Sequence, residues 1–218
     1  MDIDEERREL LIKLVYYGPA LSGKTTNLRK LHERIAAGAG ARIMSLETAE
    51  DRTLLFDLLP LHFRVEPGVV VKLRVYTVPG QVMHNATRKV VLRGADGVAF
   101  IADARLAECD AVDEAFANLK QNLRENGRDP EAVPIAFQFN KRDLPDVRSD
   151  DDLAAFGRRG KLVFSACALK DDGVLPTFLG LCELTWSDLE RRHDLVRRFG
   201  IAPATFRREL AALFGNRM

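Results

Sequence analysis

The chain has 218 residues, 46% of them hydrophobic and 30% charged, with a formal net charge of +1. That length suits one α/β domain with an appendage better than two full domains, and the composition shows no low-complexity tract or internal repeat. The near-neutral balance argues against a nucleic-acid partner, and three scattered cysteines, Cys109, Cys167 and Cys182, without CxxC spacing, fit reduced thiols in a cytoplasmic protein.

At the N-terminus, MDIDEERREL is charged where a secretory signal would be apolar, and Asp2 excludes N-myristoylation. No apolar run approaches membrane-spanning length and the end FGNRM has no prenylation cysteine, so no lipid anchor is expected. Any membrane recruitment would need a protein partner or an amphipathic surface.

Residues 10–17, LLIKLVYY, read as a strand that breaks into Gly-Pro and then into a helix with Leu28, Leu31 and Ile35 at helical spacing. Between them GPALSGKT, Gly18 to Thr25, matches G-x-x-x-x-G-K-[ST] in the strand–loop–helix context that gives the motif meaning. Its glycines let the backbone curl so that amides face phosphate oxygens, and the helix N-terminus adds partial positive charge. Gly18, Ala20, Leu21, Ser22, Gly23, Lys24, Thr25 and Thr26 are the expected phosphate-binding residues; Lys24 reaches the outer phosphates and Thr25 offers a hydroxyl to Mg2+.

A long irregular segment is expected to about Leu59, followed by LHFRVE and VVVKLRVYTV as an antiparallel hairpin around Pro67-Gly68. NATRKVVLRG reads as a short helix, GVAFIADA as a strand buried on both faces, and DAVDEAFANLKQNLREN as a helix. VPIAFQFN and KLVFSA are two more strands, so strand and helix alternate as in a mostly parallel sheet covered on both sides. A helix over about 173–190 and another from Ala204 close the chain. The expected division is a nucleotide-binding domain over 1–186 and a C-terminal helical extension over 187–218.

NKRD, Asn140 to Asp143, directly follows a strand, at the sheet end where ligands sit in open α/β folds. The Asp143 carboxylate can accept from both the ring N–H and the exocyclic amine of guanine, whereas adenine lacks both donors. Alone, the four letters also suit a polar turn; paired with the phosphate loop they favour guanine recognition by Asn140, Lys141 and Asp143. SAC, Ser165 to Cys167, follows the next strand and can present the Ala166 amide to the guanine oxygen.

With these residues in hand, the chain resembles the Ras-like small GTPases, and more narrowly the MglA-type bacterial GTPases of cell polarity and motility. The resemblance runs over about residues 10–185 and rests on YYGPALSGKTTNL, EDRTLLFDLLP, YTVPGQV and FNKRDLP. It implies a Ras-like P-loop GTPase fold with a mostly parallel central sheet, an antiparallel edge hairpin, and helices on both faces. It also makes Thr77, where other small GTPases have the Asp of Asp-x-x-Gly, a family trait; Asp57 is the candidate compensating carboxylate. Thr53 would then close over Mg2+ and the γ-phosphate, Arg52 would act as an arginine finger within the chain, Gln81 would orient the attacking water, and the Gly80 amide would meet the γ-phosphate. The implied partners are GTP and GDP, a dimeric Roadblock-domain activator of the MglB type, and effectors.

Ala20 departs from the glycine usual in the family and stands where a methyl could crowd Gln81 or the arginine. Two readings therefore stay open, a GTP-hydrolysing switch and a GTP-binding interaction module that scarcely hydrolyses. An ATP-using P-loop kinase is disfavoured by Asp143. The final helix carries Phe206, Leu210, Leu213 and Phe214 on one stripe, which is expected to dock on the core, with a partner or membrane surface as the alternative.

Overall fold

The computed structural model describes residues 1–35, 42–46, 56–66, 68–81 and 84–215. Its strands are β1 (Asp2–Asp4), β2 (Glu9–Tyr17), β3 (Met44–Leu46), β4 (Phe56–Val65), β5 (Val69–Thr77), β6 (Gly97–Asp103), β7 (Ile135–Asn140) and β8 (Leu162–Ser165). They join in the order β3-β4-β5-β2-β6-β7-β8, with β1 paired antiparallel to the start of β2. Pairings β5-β2, β2-β6, β6-β7 and β7-β8 are parallel, while β3-β4 and β4-β5 are antiparallel. This is the mostly parallel sheet with an antiparallel edge hairpin that a Ras-like P-loop GTPase fold requires.

Side-chain alternation explains which faces are covered. On β2, Leu10, Ile12, Leu14 and Tyr16 enter one core, and Val15 and Tyr17 the other. The first core is closed by α1 (Lys24–Arg34), α5 (Val174–His193), α6 (Leu195–Phe199) and α7 (Pro203–Ala212). The second is closed by α2 (Asn85–Leu92), α3 (Cys109–Glu125) and α4 (Asp150–Arg158). Every residue of β6 is buried, as its unbroken apolar run predicts, whereas the hairpin buries Leu59, Leu61, Phe63 and Val65 of β4 and exposes the alternate His62 and Arg64.

Strand β4 begins at Phe56, well before the expected start at Leu61. Pro60 lies opposite Arg74 of β5, and among the described residues β3 pairs only with Phe56–Leu58, so the proline falls on a stretch with a single partner strand. The consequence is that Asp57 sits on a strand. Sequence periodicity also missed β1, β3, α6 and the polar α4, although α4 opens with a capping box in which Ser149 and Asp152 bond reciprocally.

Helix α5 runs past residue 186 without a break, and the chain then folds back over the first core. The Phe206 ring stacks on Trp186 at 4.1 Å and lies 5.8 Å from Phe63 of β4; Phe214 meets Phe178 edge-on at 5.6 Å. Phe206, Leu210 and Phe214 are buried. Ion pairs Arg198–Glu5 and Arg207–Glu183 tie the basic tail to the rest of the chain. The apolar stripe therefore docks intramolecularly.

Candidate functional site

The loop between β2 and α1 is shaped by a glycine that nothing else can replace. Gly23, the N-cap of α1, has φ 100°, and a Cβ there would lie 2.2 Å from the side-chain amide of Asn140. No side chain caps the helix and its first turn holds no acidic residue, so its opening amides keep their affinity for an anion. Lys24 is buried, and its Nζ donates to Gly18 O at 3.0 Å and Pro19 O at 2.6 Å. Burial, helped by the nearby charge of Arg88, lowers its pKa to about 7. An ammonium held by carbonyls alone gains from any phosphate that arrives.

A cavity of about 800 Å³ opens over this loop, lined among others by Ala20, Lys24, Thr25, Thr26, Asp57, Thr77, Gly80 and Gln81. Three hydroxyls converge on Asp57: Thr25 Oγ1 donates to Oδ2 at 2.9 Å, Thr77 Oγ1 to Oδ2 at 3.3 Å, and Ser45 Oγ to Oδ1 at 2.9 Å. The Asp57 amide in turn donates to Thr77 Oγ1 at 3.0 Å. Strand pairing causes this, because Leu58 lies opposite Tyr76 and brings the neighbouring Asp57 beside Thr77.

The donor set fits a magnesium ion. It is all oxygen, with one carboxylate, and among the described residues no cluster of three or more His, Cys, Asp or Glu side chains could form a protein cage. A hard cation that keeps its waters and leans on ligand phosphates needs only such a sparse set. Arg52 and Thr53 lie outside the described residues.

Gly80 and Gln81 border the same cavity, with Gln81 exposed. A Cβ on Gly80 would come within 2.3 Å of Ala20 Cα, so the two loops touch backbone to backbone. Arg88 of α2, buried, fixes this segment: Nε donates to Pro79 O at 2.8 Å, Nη2 to Gly80 O, and Nη1 to Asn118 Oδ1 at 3.0 Å. Sequence reading overlooked Arg88. The available signal was an arginine set among Thr87, Val91 and Leu92 on the apolar face of a short helix.

The other end of the site is built by β7 and β8. Asn140 Nδ2 donates to Ser22 O at 2.8 Å and its Oδ1 accepts from the Ala168 amide at 2.9 Å, so this one side chain stitches the phosphate loop to the loop after β8. Lys141 Nζ is held by Asp103 Oδ2 at 2.7 Å. Burial alone would raise the Asp103 pKa, but hydrogen bonds from Arg105 and Lys141 outweigh it and bring it to about 2. Asp103 was also overlooked, although an acidic residue closing a wholly apolar strand is a recognisable signal.

Asp143, Asn140, Lys141 and Cys167 line a cavity of about 140 Å³ that shares Leu21, Gly23 and Thr26 with the larger one. The Cys167 thiol beside Asp143 holds its carboxyl below the usual carboxylate range. Ser165 is exposed and stands outside that lining. The Ala166 amide, expected to face the ligand, donates to Phe139 O at 2.9 Å because the β7-β8 ladder extends one residue beyond Ser165; a base would share that bond.

No protein-family model matches the chain. It is, however, 40% identical over 190 residues, 87% of its own length and 97% of the relative's, to the mutual gliding-motility protein MglA of Myxococcus xanthus strain DK1622. The chain belongs to the MglA-type family of bacterial Ras-like small GTPases. The mixed sheet and paired cavities are what a small GTPase of this type needs. Among the described residues, no helix is long and apolar enough to cross a membrane.

Proposed function

We propose that this chain is a GTP-dependent switch that binds GTP and Mg2+, hydrolyses GTP slowly on its own and faster with an activator, and regulates motility or polarity through GTP-dependent effector binding. The supporting observation is the continuity of two cavities across Leu21, Gly23 and Thr26, one floored by a phosphate loop and the other by Asp143. The gliding-motility name of the relative supports the cellular role.

In this reading the α1 amides and Lys24 hold the phosphates, and Asp143 accepts from the two guanine donors that adenine lacks. Asn140 and Lys141, with Asp103 behind the lysine, hold the base loop in place. Thr25 and Thr53 would hold the magnesium ion, with Asp57 and Thr77 supporting them; when bound, the ion neutralises phosphate charge. Arg52 stabilises charge on the transferred phosphoryl group, Gln81 orients the attacking water, and the Gly80 amide meets the γ-phosphate. Residues 1–186 carry this chemistry, and residues 187–218 reinforce it by packing.

Single-turnover GTP hydrolysis, with and without a Roadblock-domain dimer of the MglB type, tests the proposal. Stimulation by the dimer should fall by about a hundredfold in Arg52→Ala or Gln81→Ala while GTP affinity stays near wild type, since both act on the transition state. Loss of affinity instead would make these residues structural.

Ala20, exposed in the lining of the larger cavity together with Gly80 and Gln81, favours a second reading, a GTP-binding module whose hydrolysis is blocked by the crowding methyl. An Ala20→Gly variant that hydrolyses GTP at least about tenfold faster would select it; an unchanged rate would dismiss it.

A further inference from the structure

We propose that Leu21 is a covering residue for the bound nucleotide, laying its side chain over the sugar and base edge and so slowing release. The inference rests on the guanine-nucleotide reading of the site and adds a determinant of its lifetime.

Leu21 has φ 57°, the left-handed region that L side chains occupy at a cost and glycine does not. The residue is 88% exposed, so packing within the chain does not offset that cost. A strained backbone carrying an exposed apolar side chain is expected where a ligand supplies the missing contact.

Placement identifies the ligand. Leu21 borders both cavities, and of the three residues they share it has the only large apolar side chain. Any molecule with phosphates at the α1 amides and a base at Asp143 must pass it. The smaller cavity is also lined by two more exposed leucines, Leu144 (39%) and Leu169 (76%), together with buried Asn140 and exposed Asp143. Apolar side chains beside polar ones suit a flat heterocycle that shows apolar faces and hydrogen-bonding edges.

The test is release of tritiated GDP into excess unlabelled GDP from the full chain, wild type against Leu21→Gly, Leu21→Ala and Leu21→Met. Losing the apolar cover should speed release about five- to tenfold in the Gly and Ala variants, with Met restoring slow release. Pyrophosphate affinity, measured by calorimetry, should not change, because every variant keeps its loop amide. The nucleotide-free Gly variant should melt no lower than wild type, since it relieves the left-handed strain.

Unchanged release in both the Gly and Ala variants would overturn the proposal and leave the exposed rim as a surface for a protein partner. An equal loss of pyrophosphate affinity would overturn it by showing that the side chain merely shapes the loop. If wild-type protein bound ADP as tightly as GDP, the base-site reading itself would fail and carry this inference with it; guanine preference with unchanged release sinks the covering role alone.

Discussion

The two halves of the proposed nucleotide site, a base half around Asn140 and a phosphate half around Lys24, are built differently. The base half is cross-tied: Asn140 bonds two separate loops, Lys141 is pinned by Asp103, and these residues close strands buried on both faces. The phosphate half brings together parts that are less firmly owned. Its carboxylate, Asp57, comes from β4 of the antiparallel hairpin and is met by three hydroxyls, while Lys24 rests on two carbonyls. Fixed pairs suit a part that identifies the ligand in every state. Hydroxyl contacts, which cost little to exchange, suit a part that must respond to one phosphate more or less.

The sharpest way to break this contrast is Lys24→Ala. It removes a buried cation held by the Gly18 and Pro19 carbonyls and should weaken GDP binding by roughly three orders of magnitude, read by equilibrium competition. A loss below about tenfold would mean that the phosphate loop amides suffice.

Phe206→Ala comes next and probes what holds β4 from behind. Phe206 is buried between Trp186 and Phe63, and truncating it should cost about 3–5 kcal/mol of stability by chemical denaturation. Guanine preference should survive, because the base half does not touch that contact. A stable variant with altered guanine preference would mean that the halves are coupled through the tail.

A pH dependence tests the phosphate half alone. The folded, nucleotide-free pKa of Lys24 is about 7, below its unfolded value of 10.5, so the unfolded chain binds the extra proton between those limits. Stability of the nucleotide-free protein should therefore gain a contribution that grows from pH 7 to 10.5. Comparing melting curves of wild type and Lys24→Met across that range isolates it; parallel curves would contradict the assignment.

Sequence reading captured these halves unequally. The loop over 18–25 and NKRD stood out in the sequence because the chemistry proposed for each is carried by consecutive residues. Asp57 was legible only as a nearby carboxylate, since its pairing with Thr77 is set by the β4-β5 register, and register is not visible where Pro60 interrupts the pattern. Asp103 and Arg88 stayed hidden for a related reason: their partners, Lys141 and the Pro79-Gly80 carbonyls, are brought to them by neighbouring strands and helices rather than by local spacing. The tail stripe was legible as amphipathic, but its target, Trp186 and Phe63, was not.

The central claim is that one continuous site reads guanine through Asp143 while the phosphates sit on the loop before α1. Competition of GDP and ADP against tritiated GDP on the full chain, repeated with Asp143→Asn and with xanthosine diphosphate, tests it directly. The account predicts that wild type prefers GDP over ADP by at least about a thousandfold, and that the variant loses GDP affinity while gaining relative affinity for the xanthine nucleotide, whose extra carbonyl accepts from the new amide. Equal binding of GDP and ADP, or a variant with unchanged guanine preference, would contradict it.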